Sequence, residues 1–405
     1  MTKKPLLTRR RVLASTAAAA SVLVTRDSFA QGKPIKIGVP MPLSGPAALF
    51  GVPAVKGMEM FVAETNAAGG LLGRPLQLLV RDSKATPDEA VRVAREMILK
   101  EDVNFLVGTL TSAEGPAVST IAKENKIVLI APIPKTDQLT APKNLHPYVF
   151  RTAANTTMEG RSSAEIMAKW TDVKTVATIA HDYAYGQDVA REFAGHIKKL
   201  RPDIQVVDQQ WPKLGESDYT PFINAQMAKK PDAVFSAMWG GHFVTWSKQA
   251  KPLGFFDLVK YRVVNGGEGG SVEATRGLAG DYPFGIWSNS YDIASYEGMP
   301  ASHKAYIERI KAFTKEDPPS TWPITTYVAL QFLAAAVNKV KDIDNDKVAK
   351  GLLDLTIDAP FAKQTLRAKD HQADRGQFYG KMVKGPTGSA IMTEVKYVDP
   401  KPFMD

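Results

Sequence analysis

The residues able to do chemistry suit binding better than catalysis. Asn265-Gly266-Gly267-Glu268-Gly269-Gly270 surrounds one carboxylate with glycines, directly after an apolar run that reads as a strand, and it does not match the GxGxxG dinucleotide pattern. Pro132-Ile133-Pro134-Lys135 combines a proline that has no N–H to donate with a lysine that, facing a cleft, offers a positive point charge to a carboxylate. His181-Asp182 is the one pair suggestive of acid–base work, and a lone strand-end histidine is more often structural. There is no GxSxG elbow and no HExxH, and the six histidines have no metal-ligand spacing. The absence of cysteine removes thiol nucleophiles, Cys-based metal sites and disulfides. No catalytic residue, metal or cofactor is therefore expected, and a hydrolase stands only as a distant alternative.

The elements that must position these residues follow two alternating periodicities. Apolar runs at 35–40, 76–80, 105–107 and 127–130 alternate with helical spacing over 54–66, 87–99 and 115–125. Continuous Val/Ile/Leu strands separated by amphipathic helices predict a parallel sheet covered on both faces. After 148–151 the pattern restarts: helices at 158–170, 187–200, 219–227 and 243–253 alternate with strands at 176–180, 204–208, 233–237 and 262–264. Beyond Ser288 helices are expected at 303–313, 327–340 and 346–355, then short strands near 365–367, 377–383 and 394–398. The two Ala/Val-rich helices of this last part suit the closing of the first lobe.

The N-terminus bears on location. Arg9-Arg10-Arg11-Val12-Leu13 precedes the alanine-rich stretch 14–24 and then Ser28-Phe29-Ala30, a small-x-small cleavage site. This predicts a twin-arginine-like export signal over 1–30, cleaved near Ala30, and hence a periplasmic protein; Val12 stands where an aromatic is usual. The apolar run falls short of the roughly 20 residues that span a bilayer. Removing 30 of 405 residues leaves 375, beyond the size at which one core keeps growing, so two lobes are expected. Of the formal charge of +9, Lys3, Lys4, Arg9, Arg10, Arg11 and Arg26 against Asp27 contribute +5, leaving +4. That excess, without a Lys/Arg-rich run, argues against a nucleic-acid partner.

Specific residues also carry a resemblance. Ile35-Lys36-Ile37-Gly38-Val39-Pro40-Met41-Pro42-Leu43-Ser44-Gly45-Pro46, then Gly51, Asn66-Ala67-Ala68-Gly69-Gly70 and Leu72-Gly73-Arg74-Pro75-Leu76, resemble the opening of periplasmic leucine/isoleucine/valine-binding proteins, the solute receptors of ABC importers. The likeness continues through Asp82, Val107-Gly108, Phe150-Arg151-Thr152, Tyr185-Gly186 and Asp370-His371-Gln372, and so spans the chain beyond the leader. It implies an α/β fold of two Rossmann-like lobes with parallel-sheet cores joined by three crossovers, the type I periplasmic binding protein architecture. Lobe 1 would hold 31–151 and 290–378, and lobe 2 would hold 152–289 and 379–405.

The resemblance further implies a monomer that closes on one small molecule and delivers it to an ABC permease and ATPase. Open parallel sheets leave a crevice at the carboxyl ends of their strands, lined by helix N-termini that favour anions. Ser112, before the predicted helix 115–125, aligns with the family's carboxylate-binding serine; a helix cap is its plainer role. Glu268 falls where the family places the acid that receives an α-ammonium group. Phe50, Tyr185 and Trp239 align with aromatics that flank the ligand, and Tyr183 is a neighbour. Ile133 and Lys135 stand where amino-acid binders have a small residue and then threonine. Glu268 favours an amino acid, branched-chain or related; the departure at 132–135 raises an aromatic or other small carboxylate or amide as the alternative.

Overall fold

The computed structural model describes residues 32–264, 269–386 and 388–404; the expected leader and Glu268 lie outside these described residues. The first series runs β1 (Ile35–Met41), α1 (Ala48–Ala67), β2 (Leu76–Asp82), α2 (Pro87–Leu99), β3 (Phe105–Val107), α3 (Glu114–Glu124), β4 (Leu129–Ala131) and β5 (Val149–Arg151). Its strands form one parallel sheet in the order β2-β1-β3-β4-β5. The second series runs α4 (Thr156–Ala168), β6 (Thr175–Ile179), α5 (Ala184–Leu200), β7 (Gln205–Gln210), α6 (Thr220–Lys229), β8 (Ala233–Ser236), α7 (Gly240–Ala250), α8 (Phe255–Leu258), β9 (Tyr261–Val264), α9 (Val272–Leu278) and β10 (Trp287–Ser290). Its strands β7-β6-β8-β9-β10 repeat the order of the first sheet. The two lobes are thus the same doubly wound unit built twice.

The remainder closes both lobes. Helices α10 (Ala301–Thr314), α11 (Pro323–Val340) and α12 (Asn345–Leu352) follow, then the hairpin β11 (Leu355–Asp358) and β12 (Lys363–Leu366), and finally β13 (Gln377–Lys384) and β14 (Ala390–Val398). Helix α11 lies against α1 so closely that a Cβ at Gly57 would come within 1.9 Å of the Pro323 carbonyl oxygen. The Thr326 hydroxyl donates to the Ala54 carbonyl across the same contact. The Ala/Val helix predicted over 327–340 does therefore close the first lobe. Strand β13 joins the second sheet antiparallel to β10, and β14 pairs antiparallel to β13. Ser290, Gln377 and Phe378 accordingly lie in the second sheet, one and two residues across the divisions expected at 290 and 378/379. This antiparallel edge depends on partners far apart in sequence, which local periodicity does not encode.

The chain passes between the sheets three times: after β5, after β10 and before β13. The passages run side by side. Arg151 N–H donates to the His371 carbonyl and Ala373 N–H to the Arg151 carbonyl, both at 2.9 Å, while Arg375 donates to the Tyr291 carbonyl at 3.0 Å. Arg151 is fully buried and also donates to Gln372, to Thr140 Oγ1 and to the carbonyls of Lys135 and Thr136. Burial pulls its pKa down to about 10, which leaves it charged at neutral pH. One guanidinium thus ties the first crossover to the third and to the loop after β4.

Candidate ligand-binding site

A small cavity lies between the two sheets. Its walls come from the carboxyl ends of strands: Leu110, Thr111 and Ser112 follow β3, Ile133 and Lys135 follow β4, Tyr183 and Tyr185 follow β6, and Trp239 follows β8. In each sheet the strand order reverses at this point, where doubly wound folds leave a crevice. Helices α3, α5, α7 and α11 all begin within about two residues of a lining side chain. The positive ends of four helix dipoles are gathered at one cavity.

Ser112 organises the floor. Its Oγ accepts the N–H of Lys135 at 3.2 Å and that of Thr136 at 3.0 Å, which fixes the loop after β4. It does not cap α3; the residue at the cap is Ala113, with no side-chain bond, and the first turn is closed by Thr111 and Glu114 instead. The buried Glu114 carboxyl accepts from Thr111 N–H, and desolvation raises its pKa. With both bonds arriving at Ser112 Oγ as acceptor, its own O–H remains a donor.

Lys135 is buried at 6 % exposure and lines the cavity. Its ammonium is ion-paired with Glu159 of α4, which is fully buried behind it. Glu159 also accepts from Tyr291 Oη at 2.6 Å, from Tyr185 Oη at 3.2 Å and from Gln377 Nε2. The lysine stands 3.9 Å over the Tyr291 ring. The carboxylate that balances Lys135 thus accepts from donors of both lobes, and of the pair it is Lys135 that lines the cavity.

Aromatic rings form the remaining wall. Phe50 stacks on Trp322 at 4.2 Å between centroids and lies 6.1 Å from Trp239, so rings of both lobes meet across the gap. Tyr291 packs on Trp322 at 4.9 Å. Behind Trp239 a buried chain runs from His181 Nε2 to Tyr219 Oη at 3.2 Å and on to His242 Nδ1 at 3.1 Å. Burial, and secondarily the neighbouring His242, pushes the His181 pKa down to about 3, so this imidazole is neutral and structural.

Phe50, Ser112, Ile133, Lys135, Tyr185 and Trp239, expected from sequence, all line this one cavity, with Tyr183 beside them. Tyr185 belongs to the first turn of α5 rather than to a loop, and Phe50 to a helix that begins six residues before the expected start. Pro53 inside α1 gave the signal of a later start. Sequence reasoning missed Glu159, Tyr291 and Trp322. The Trp322-Pro323 step just before an Ala/Val helix marked a helix start, the one local signal available for any of the three.

A model of the periplasmic binding protein family matches residues 34–386. The Leu/Ile/Val-binding protein of Citrobacter freundii is 27% identical over 324 residues, covering 80% of this chain and 84% of that protein. Among solved structures, a solute-binding protein of an ABC transporter from Rhodopseudomonas palustris in complex with 4-hydroxybenzoate superposes with a TM-score of 0.81 at 20% identity, over 92% of this chain and 99% of its own. The branched-chain amino acid transporter substrate-binding protein of Streptococcus pneumoniae, in complex with isoleucine, gives a TM-score of 0.79 at 22% identity, over 91% and 100%.

Proposed function

Because this chain belongs to the periplasmic binding protein family, whose members bind solutes for ABC transporters rather than catalyse reactions, we propose that it holds a small carboxylate-bearing solute in the interlobe cavity and delivers it to a membrane permease and its ATPase. The observation that carries the carboxylate is the composition of the floor: the Ser112 hydroxyl and Lys135 ammonium are donors, four helices begin there, and Glu159 is consumed behind the lysine. Residues 1–30 would direct export to the periplasm, and the receptor would act as a monomer that closes about the three crossovers.

An amino acid, branched-chain or related, is the first reading for the solute. It is supported by what the relatives are named for and by Glu268, which would receive the ammonium group. An aromatic acid is the second reading, favoured by the rings of Phe50, Tyr183, Tyr185, Trp239 and Trp322 and by the prior commitment of Glu159. A thermal-shift screen of amino acids, their amides and aromatic acids tests the proposal, since a solute at 100 times its Kd stabilises the native state by about 2.7 kcal/mol. A rise in Tm with members of either acid class is expected. A rise only with uncharged or cationic solutes would overturn the carboxylate.

A further inference from the structure

Two donors at the cavity have no acceptor among the described residues. Trp239 and Trp322 are 6 % and 2 % exposed, both line the cavity, and the Nε1 of each is buried without a hydrogen-bond partner among those residues. The indole N–H can only donate, and a buried one usually finds a partner. Trp246 also has an unpartnered Nε1, but it sits in the second lobe's core away from the cavity and says nothing about a ligand. The two cavity indoles are different in kind: one comes from each lobe, at the start of α7 and of α11, and they are joined through Phe50 into a single wall. The wall that would meet the body of the solute therefore carries two indoles whose N–H groups lack an acceptor among the described residues.

A carboxylate has enough donors at Ser112, Lys135 and the helix starts. A plain hydrocarbon body against the indoles would leave both N–H groups unsatisfied in the complex, whereas a body carrying an oxygen acceptor relieves them. Resting on the carboxylate reading above, we infer that the solute bears a second acceptor, a hydroxyl or carbonyl oxygen, recognised by the indole N–H groups of Trp322 and Trp239. Trp322 and Trp239 then set specificity, selecting against aliphatic and unsubstituted aromatic acids. Sites built to hydrogen-bond a substrate oxygen discriminate strongly against the analogue that lacks it.

Matched pairs test this: leucine against asparagine, phenylalanine against tyrosine, and benzoate against 4-hydroxybenzoate, each titrated calorimetrically into the whole protein. In the pair that binds, the oxygen-bearing member should bind about tenfold or more tighter. Trp322→Phe and Trp239→Phe keep a ring and delete the N–H, and each should cost the oxygen-bearing member more affinity than the plain member, reducing that advantage. Equal binding of both members of the pair by the unmodified protein would overturn the inference and leave the carboxylate reading standing. So would an equal loss of both members in Trp322→Phe, which would mean that the indoles receive the carboxylate itself. Failure of every acid to bind would overturn both.

Discussion

Lys135 and Glu159 are ion-paired inside the protein, yet only the lysine reaches the cavity. The glutamate is the meeting point of the second-lobe helix α4, the second crossover through Tyr291 and the third through Gln377. A single carboxylate therefore joins the ligand floor to two strands of the hinge, so that ligand charge and lobe orientation act on the same group.

Removing one partner of this pair should be costly. Glu159→Gln leaves a buried ammonium facing a neutral amide, and breaking a buried pair from one side typically costs about 3–5 kcal/mol. The double variant Lys135→Met/Glu159→Gln removes both charges and should recover most of that loss. Urea denaturation at pH 7 measures both. A single variant as stable as the double would show that the pair is not coupled.

Closure should depend on Gly240. Its φ of +60° lies in the left-handed region, and a Cβ there would stand 3.2 Å from the Pro46 carbonyl oxygen of the opposite lobe. Alanine in that conformation costs roughly 1–2 kcal/mol of folding stability with or without ligand, so it is the approach of its Cβ to the opposite lobe that should weaken ligand binding in Gly240→Ala. Gly241→Ala, whose Cβ would make only ordinary contacts at 3.4 Å and beyond, serves as the control. Calorimetry with the best-binding acid, paired with solution scattering, should show a weaker and less closed complex for Gly240→Ala alone.

The two lobes were largely legible in the sequence because their strands are continuous apolar runs and α2 and α5 show one-sided apolar spacing. Helix α2, with Pro87 at its start and Asp88 and Glu89 in its first turn, is predicted over the residues it occupies. Strand β10, with the sequence Trp287-Ser288-Asn289-Ser290, carries no such pattern and went unread; three of its four residues are buried polar or small, held by partners such as Gln377 on β13. The site divides the same way. Residues next to strand ends could be placed by the alternation together with the family resemblance, whereas Glu159 and Tyr291 enter through contacts with partners from 24 to 218 positions away, and nothing local announces them.

Acid should destabilise the fold in a defined window. His181 is held neutral, its pKa pushed down to about 3 by burial and by His242, against about 6.5 in an unfolded chain. The unfolded state therefore binds more protons between these values, and stability rises with pH across them. The contribution is fully present above about pH 6.5 and is lost as pH falls toward 3, with a slope on the order of 1.4 kcal/mol per pH unit for one such group. His146, pushed down to about 4 by burial, acts in the same direction. Denaturation midpoints from pH 7 to 4 should fall, and His181→Gln, which cannot titrate, should flatten the lower part of the curve. An unchanged slope in that variant would show that His181 titrates freely in the native state.

The two solute readings separate at Glu268 and at the Lys135–Glu159 pair. An amino acid needs an anion for its ammonium group, so Glu268→Gln should weaken its binding by on the order of 2–5 kcal/mol. For a simple acid the same change removes nothing attractive, and affinity should hold or improve. Lys135→Ala is a poor test of the cation, because it also strands Glu159 in the interior. Lys135→Met/Glu159→Gln keeps the interior neutral and isolates what the ammonium does for the ligand. With an aromatic acid this double variant should lose about tenfold or more in affinity, as expected for a charge-assisted bond worth roughly 1.5–3 kcal/mol. Calorimetry on Glu268→Gln and on the double variant, each with the best-binding amino acid and the best-binding aromatic acid, assigns the solute class. An affinity unchanged in both variants for both solutes would place the bound molecule elsewhere than this cavity.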